Sequence, residues 1–98
     1  MGKNDLIKAI AEATGITQLE VKTVVDAWLE LIARHIARGE RVTIKGFGSF
    51  FLRHRPPRIY IHPETGKPEE APPAYVPVFH PSSSFRQYIA ELRNSESQ

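Results

Sequence analysis

The stretch GFGSF, residues 46–50, decides how the middle of the chain folds. Its two glycines predict a tight turn between two strands. Before the turn, residues 42–45 alternate apolar and polar side chains, as a half-buried strand does, and after it a second strand runs to Arg55. Phe47 and Phe50 supply large apolar side chains, so we expect the strands to pack one face against a hydrophobic core.

The chain after residue 73 predicts a third strand and a last helix. The sheet then comprises residues 41–55 and 74–80. Serines that follow Pro81 offer an N-cap for a short C-terminal helix over residues 82–93. Residues 94–98 are polar, and we expect this tail to fray.

Residues 1–38 carry helical periodicity and form the predicted dimerisation part. The first helix ends at Gly15, which is suited to a left-handed C-terminal cap. Thr17 and Glu20 fit a capping box at the start of the second helix. The N-terminal half of the chain is therefore helical.

The second helix has more apolar surface than this chain can cover by itself. Its apolar residues span an arc of roughly 160° on a helical wheel. A chain of 98 residues buries a relatively small fraction of its surface when it folds alone. We therefore infer a dimer in which the second helices pack across the interface. The predicted dimer core consists of Trp28, Ile32, Phe47, Phe50 and Phe79.

Positive charge is concentrated in the middle of the chain, although the net charge is only +2. Residues 1–40 have five Lys or Arg and six Asp or Glu. Residues 41–63 have no acidic residue, a pattern that favours a polyanionic partner over an ordinary solvated strand face. The cations of this segment are Arg41, Lys45, Arg53, Arg55 and Arg58.

Residues 56–73 predict an extended β-hairpin arm. All eight prolines lie between residues 56 and 81. If the arm turns at residues 64–66, with Gly66 at positive φ, prolines 56–57 fall almost opposite prolines 72–73. Four missing N–H donors at one level should break the strand ladder where the arm leaves the body.

Several motifs together resemble the HU/IHF family of bacterial DNA-bending proteins over residues 1–93. They are GFGSF, the arginines of the basic segment, PETG at 63–66 and VPVFHP at 76–81. The resemblance implies an α+β fold and an IHF-like intertwined dimer. Each chain would supply two N-terminal helices, a three-stranded antiparallel sheet with an extended β-hairpin arm, and a short C-terminal helix.

The resemblance also implies a function. Two arms would reach around a DNA duplex along its minor groove, and a proline at each tip, here Pro63, would wedge between base pairs and kink the DNA. The chain is then a histone-like, largely sequence-tolerant DNA-bending protein that contributes to nucleoid organisation in the cytoplasm. Its partners would be double-stranded DNA and a second identical chain, with no membrane, cofactor, metal or small-molecule substrate. The implied DNA-binding residues are Arg53, Arg55, Arg58, Ile61, His62, Pro63, Lys67, Lys3 and Arg86.

The arm departs from the usual family pattern. Tyr60, Ile61 and His62 stand where the family usually has a glycine, a basic residue and an asparagine. Glu69 and Glu70 add negative charge to the returning strand. We therefore expect weaker and more salt-sensitive binding than that of a typical member.

Two other classes of function compete with DNA bending. In one, the proline-rich arms of the dimer grip another protein and DNA affinity is weak. The other is an enzyme, which the sequence disfavours because it has no Gly-rich phosphate loop, catalytic triad order or HExxH motif. A metal cluster on the flexible arm would lack fixed supporting contacts. Its candidate ligands are His54, His62, Glu64, Glu69 and Glu70.

Overall fold

The structure, a computed structural model, describes residues 1–96. Residues 1–35 form one compact unit and the chain from Ile36 onward forms another. Within the described residues, no helix is long and apolar enough to cross a membrane. The elements are α1 (Lys3–Thr14), α2 (Gln18–Ala37), β1 (Val42–Ile44), β2 (Gly48–Arg55), β3 (Arg58–Ile61), β4 (Pro68–Ala71), β5 (Ala74–Pro81) and α3 (Ser83–Glu96).

The end of α1 and the start of α2 lie at the residues that the sequence marks. Gly15 has φ 76°, and its N–H donates to the carbonyl oxygen of Ala11 at 2.9 Å, which confirms the left-handed cap. At the start of α2, the backbone N–H of Glu20 donates to Thr17 Oγ1 at 3.2 Å. Thr17 is therefore the N-cap, as predicted, because it satisfies an amide that has no partner within the helix.

The helical unit leaves most of its apolar side chains in contact with solvent. Ile7 and Val21 are buried, whereas Val24 on the same helix as Val21 is 68% exposed. Of the predicted dimer core, Trp28 is 43% exposed. The whole chain exposes 8187 Å², whereas a folded monomer of its mass exposes about 5,700 Å². A single copy therefore leaves apolar surface uncovered that a second chain is suited to bury.

The predicted three-stranded antiparallel sheet is present, with strand order β1-β2-β5. β2 is the central strand, and Phe50 pairs with Val42 on one side and with Phe79 on the other. The turn predicted from Gly46 and Gly48 would start β2 at Ser49, but β2 begins one residue earlier, at Gly48, and β5 ends at Pro81, one residue after the predicted end. Both differences arise because the Gly48–Pro81 pair extends the ladder.

The GFGSF stretch builds an aromatic cluster. Gly46 has φ 79°, which allows the turn from β1 into β2. The ring centroid of Phe47 lies 4.9 Å from that of Phe79 and 4.8 Å from that of Phe85. Phe50 also lies 4.8 Å from Phe79. These contacts join the hairpin, the third strand and the first turn of α3 into one apolar layer.

The arm is a separate two-stranded sheet, as the proline positions predict. Pairing of β2 with β5 ends at Arg55 and Ala74, and pairing of β3 with β4 begins at Arg58 and Ala71. The residues between these pairs are the prolines 56–57 and 72–73, which have no N–H to donate to a ladder.

The tip of the arm turns where the sequence predicts. Gly66 has φ 70°, and its N–H donates to the carbonyl oxygen of His62 at 2.9 Å. The N–H of His62 in turn donates to the carbonyl oxygen of Lys67 at 2.9 Å. Gly66 is needed here because side chains disfavour positive φ.

The C-terminal helix is longer than predicted. Ser82 is its N-cap, because Ser82 Oγ accepts a hydrogen bond from the N–H of Phe85 at 3.1 Å. α3 continues to Glu96, so the predicted end at residue 93 is wrong. No Gly or Pro follows Pro81, and the polar residues after Leu92 are compatible with a helix. The rest of the predicted tail, residues 97–98, lies outside the described residues.

Candidate nucleic-acid interface

The two faces of the three-stranded sheet differ in chemistry. Along β2, Phe50 and Leu52 lie on the face of the aromatic cluster, and residues that alternate with them lie on the opposite face. On that opposite face, Arg53 and Arg55 are both exposed. The predicted shared face of these two arginines is therefore confirmed.

The face that carries Arg53 is free of negative charge, although apolar side chains such as Phe51 also lie on it. β1, β2 and β5 contain no Asp or Glu. The hydroxyl groups of Thr43 and Ser49 lie 3.1 Å apart, and Ser49 pairs with His80 in the register of the sheet. Hydrogen-bonding groups and guanidinium groups on one surface are suited to bind phosphate oxygens.

Arg41 belongs to this face, although the sequence analysis did not include it among the binding residues. Its guanidinium carbon lies 4.5 Å from the ring centroid of Phe51, which lies in β2 on the same face as Arg53. A guanidinium group that stacks on an aromatic ring can still donate hydrogen bonds from its own edge to a second partner, such as a phosphate. The sequence signal for this placement was the strand alternation of residues 41–43, which puts Arg41 on the same face as Thr43 and opposite Val42.

Arg55 and Arg58 lie on either side of the point where the arm leaves the body. Together with the prolines of the junction, they line an open hollow of about 470 Å³. The hollow combines two cations with apolar walls, which suits the phosphate and sugar of a nucleic-acid backbone. It brings together two of the predicted contacts from different sheets. The other lining residues are Pro56, Ala71, Pro72, Ala74 and Val76.

The tip exposes the predicted wedge. Pro63 is exposed in the turn, and Ile61, the last residue of β3, is 63% exposed. His62 is half-buried because its ring folds onto its own loop, where Nδ1 accepts the backbone N–H of Glu64 at 3.2 Å. Lys67 is exposed on the returning side. The tip therefore offers an apolar end with a cation beside it.

Lys3 is already engaged within the helical unit. Its Nζ forms an ion pair with Asp26, and Asp26 also accepts a hydrogen bond from Lys22 Nζ at 2.7 Å. The hydrogen bonds from Lys22 and then from Lys3 lower the pKa of Asp26. A DNA contact by Lys3 must therefore replace or share an existing carboxylate partner. Arg86, the other predicted body contact, is exposed on α3.

The distal arm is less basic than the sheet face. Residues 58–71 hold two cations, Arg58 and Lys67, and three carboxylates. Glu69 pairs with Tyr60 across the arm, and Tyr60 Oη donates a hydrogen bond to Glu69 Oε2 at 3.1 Å. Glu70 pairs with Ile59 on the other face. Phosphate-binding charge is therefore concentrated at the base of the arm.

Comparison with known proteins places these features in a family. The sequence profile described as "Bacterial DNA-binding protein" matches residues 1–90. The chain is 40% identical to integration host factor subunit beta of Alkalilimnicola ehrlichii over 100% of this chain and 99% of that protein. It is 38% identical to DNA-binding protein HU of Staphylococcus aureus, over 91% of this chain and 99% of that protein.

A solved structure matches the fold. In a cocrystal structure of Anabaena HU with DNA, the protein chain superposes with a TM-score of 0.85 at 37% sequence identity. The match covers 92% of this chain and 98% of that chain. The α+β arrangement of helices, sheet and arm predicted from the sequence is confirmed.

Proposed function

The chain belongs to the family of bacterial DNA-binding proteins that includes HU and integration host factor, and from this premise we propose that it is a histone-like protein that binds and bends double-stranded DNA. The observation that carries the proposal is the acid-free face of the sheet, with its exposed arginines at the base of the arm. Such a face binds phosphates of any sequence, because backbone contacts carry no base information.

The exposed Pro63 supports bending as well as binding. Proline is stiff and has no N–H to desolvate when it enters a base stack. Unstacking a base step costs a few kcal/mol, and the additional backbone contacts of a bent duplex offset that cost. The structurally similar Anabaena HU protein was crystallised with DNA, which supports DNA as the ligand of this chain.

A dimer is part of the proposal. The chain exposes about 2,500 Å² more than a folded monomer of its mass, and the helical unit presents exposed apolar residues such as Val24 and Leu31. Burial of such a surface by a second copy stabilises both chains. Two arms in one dimer also allow the duplex to be contacted from two sides.

The family is one of DNA-binding proteins and not a family of enzymes. The role that follows is architectural: the protein changes the path of DNA and performs no reaction on it. A protein of this kind acts where chromosomal DNA is, so we propose that it is associated with the nucleoid in the cytoplasm.

The salt dependence of binding is expected to be moderate. If Arg53, Arg55 and Arg58 of both chains each neutralise one phosphate, log K falls with log salt with a slope of about −5. The slope is proportional to the number of phosphates contacted. An arm that is poor in cations therefore gives weaker binding with a shallower slope, so the greater salt sensitivity expected from the sequence does not follow.

One observation favours a second candidate function, in which the arms bind a protein. Ile59 is 77% exposed on the arm, on the same face as Ile61 and next to Glu70. An apolar face bordered by a carboxylate is less suited to a phosphate backbone than to a partner protein with basic and apolar side chains.

A binding titration separates the two functions. Gel shifts with linear, nicked and four-way-junction DNA at two salt concentrations should show binding to all three and weakening with salt. Preference for the nicked or branched DNA would indicate that bending is the costly step. Absence of binding to any of them at low salt would contradict DNA bending and favour the protein-binding arm.

A further inference from the structure

Tyr60 and Glu69 tie the two strands of the distal arm together through their side chains. They are direct partners in the β3–β4 register, and their hydrogen bond is 3.1 Å long. Tyr60 remains 39% exposed, so its ring lies on the surface of the arm and not in a core. Glu70, the next residue, pairs with Ile59, whose side chain has no group that can form a hydrogen bond.

The arm has little else to keep its strands paired. Its sheet contains four residue pairs, and the proline pairs separate it from the ladder of the body. An isolated two-stranded hairpin is marginally stable in water. β4 has the sequence PEEA, and proline, glutamate and alanine are poor strand formers. A cross-strand side-chain pair therefore has a large effect on whether the arm is formed before DNA arrives.

We propose that Glu69 is a positioning residue for DNA binding, acting through Tyr60 to keep the distal arm paired. The proposal rests on the DNA-binding function proposed above. A preformed arm loses less conformational entropy when it binds, and the affinity rises accordingly. The charge of Glu69 has the opposite effect, because a carboxylate near phosphates weakens binding. The two effects are separable by the choice of substitution.

Five substitutions separate the effect of charge from that of position. Glu69→Gln removes the charge but keeps an oxygen that can accept the Tyr60 hydroxyl, whereas Glu69→Ala removes both. Glu70→Gln and Glu70→Ala are matched controls, since Ile59, the cross-strand partner of Glu70, has no side-chain group that can form a hydrogen bond. Tyr60→Phe removes the hydroxyl and leaves the ring.

The first measurement needs no DNA. Hydrogen exchange of the His62 and Gly66 amides, which donate across the tip, reports on opening of the arm. Exchange should be about two- to fivefold faster in Glu69→Ala and Tyr60→Phe, the range expected of one cross-strand pair. It should be unchanged in Glu69→Gln and in both Glu70 variants. Equal exchange in Glu69→Ala and Glu69→Gln would overturn the role of the hydrogen bond.

The second measurement is the affinity for a duplex. Glu69→Gln and both Glu70 variants should bind somewhat more tightly than the unsubstituted protein, because a negative charge is gone. Glu69→Ala should bind about two- to fivefold more weakly than Glu69→Gln. When Tyr60→Phe is already present, this difference should vanish.

The outcomes distinguish the positioning role from the function itself. If the unsubstituted protein binds DNA but Glu69→Ala and Glu69→Gln bind equally, the positioning role is wrong and DNA binding stands. If the unsubstituted protein does not bind DNA, the proposed function fails, while the exchange measurement still decides whether Tyr60 and Glu69 hold the arm together.

Discussion

A Cβ atom added to Gly48 would lie 2.5 Å from the carbonyl oxygen of His80 and 2.7 Å from the ring of Phe79. β2 and β5 therefore approach each other at a point where only glycine fits. The adjacent Phe47 carbonyl accepts the N–H of Ser82 at 2.9 Å, so the start of α3 depends on the same close approach.

Gly48→Ala should destabilise the protein by about 1–3 kcal/mol or more, the usual cost of forcing an extra carbon into a packed site. The obstacle is backbone, which cannot rotate away as a side chain can. Urea unfolding at a fixed protein concentration measures the effect. Gly2→Ala is the control, because a Cβ there would lie 3.8 Å from the Asp5 carboxylate. Equal unfolding midpoints for the two variants would contradict the steric argument.

Arg41→Ala should weaken DNA binding and reduce the steepness of its salt dependence. Arg41 shares the acid-free face of the sheet with Arg53, so we expect one phosphate contact per chain. The slope of log K against log salt should become shallower by about two in a dimer. Arg34→Ala is the matched control, since Arg34 forms an ion pair with Glu30 on α2 at 2.8 Å. A similar change in slope for both variants would indicate a general charge effect.

The features that the sequence predicts correctly are those that local chemistry decides. Gly15 and Gly66 adopt positive φ, and Thr17 caps α2, because each of these conformations depends on a few neighbouring residues. The break in the ladder follows from prolines 56–57 and 72–73, since proline cannot donate regardless of its surroundings.

The features that the sequence analysis missed depend on residues distant in the chain. The Tyr60–Glu69 hydrogen bond exists only because the strand register places the two residues opposite each other. Gly48 looks like an ordinary turn residue until β5 lies beside it. The engagement of Lys3 by Asp26 requires α1 to lie against α2, which periodicity predicts only in outline. Side-chain partners across elements are therefore the part that needed a structure.

The stability of the helical unit should depend on Asp26 in acid. The pKa of Asp26 is lowered by hydrogen bonds from Lys22 and Lys3, so the folded state favours the charged form. This contribution to folding stability is fully present above the pKa of an aspartate in the unfolded chain, about 3.9. It is lost as the pH falls through the lower pKa that Asp26 has in the folded state. Asp26→Asn should therefore make stability less dependent on pH below about 4. Urea unfolding of both proteins from pH 6 downward measures this dependence. Identical profiles of stability against pH for Asp26→Asn and the unsubstituted protein would contradict the role of Asp26.

Val24→Glu should weaken the proposed dimer at least tenfold. Val24 is 68% exposed in the single chain, on the apolar side of α2 with Trp28 and Leu31. Burial of an unpaired carboxylate in an apolar interface costs several kcal/mol, which corresponds to more than one factor of ten in dissociation constant. Ala33→Glu, on the polar side of α2, is the control. Sedimentation over a dilution series should show dissociation of the Val24 variant alone, and an unchanged dimer would place the interface elsewhere.

Pro63→Ala should reduce the bend of bound DNA while leaving most of the affinity. In the proposed mechanism, phosphate contacts by the arginines of the sheet face and the base of the arm dominate binding, whereas the wedge at the tip determines the kink. Without the wedge, the cost of unstacking a base step, a few kcal/mol, is not incurred, so loss of apolar contact is partly offset. We expect affinity within about tenfold of that of the unsubstituted protein. The bend should be smaller, as measured by energy transfer between dyes at the two ends of the DNA.

Pro68→Ala is the control, because Pro68 is paired with Ile61 in the arm ladder and lies outside the turn. An equal bend in the Pro63 variant would show that the kink comes from the base of the arm, where Arg55 and Arg58 line one hollow, and not from the tip.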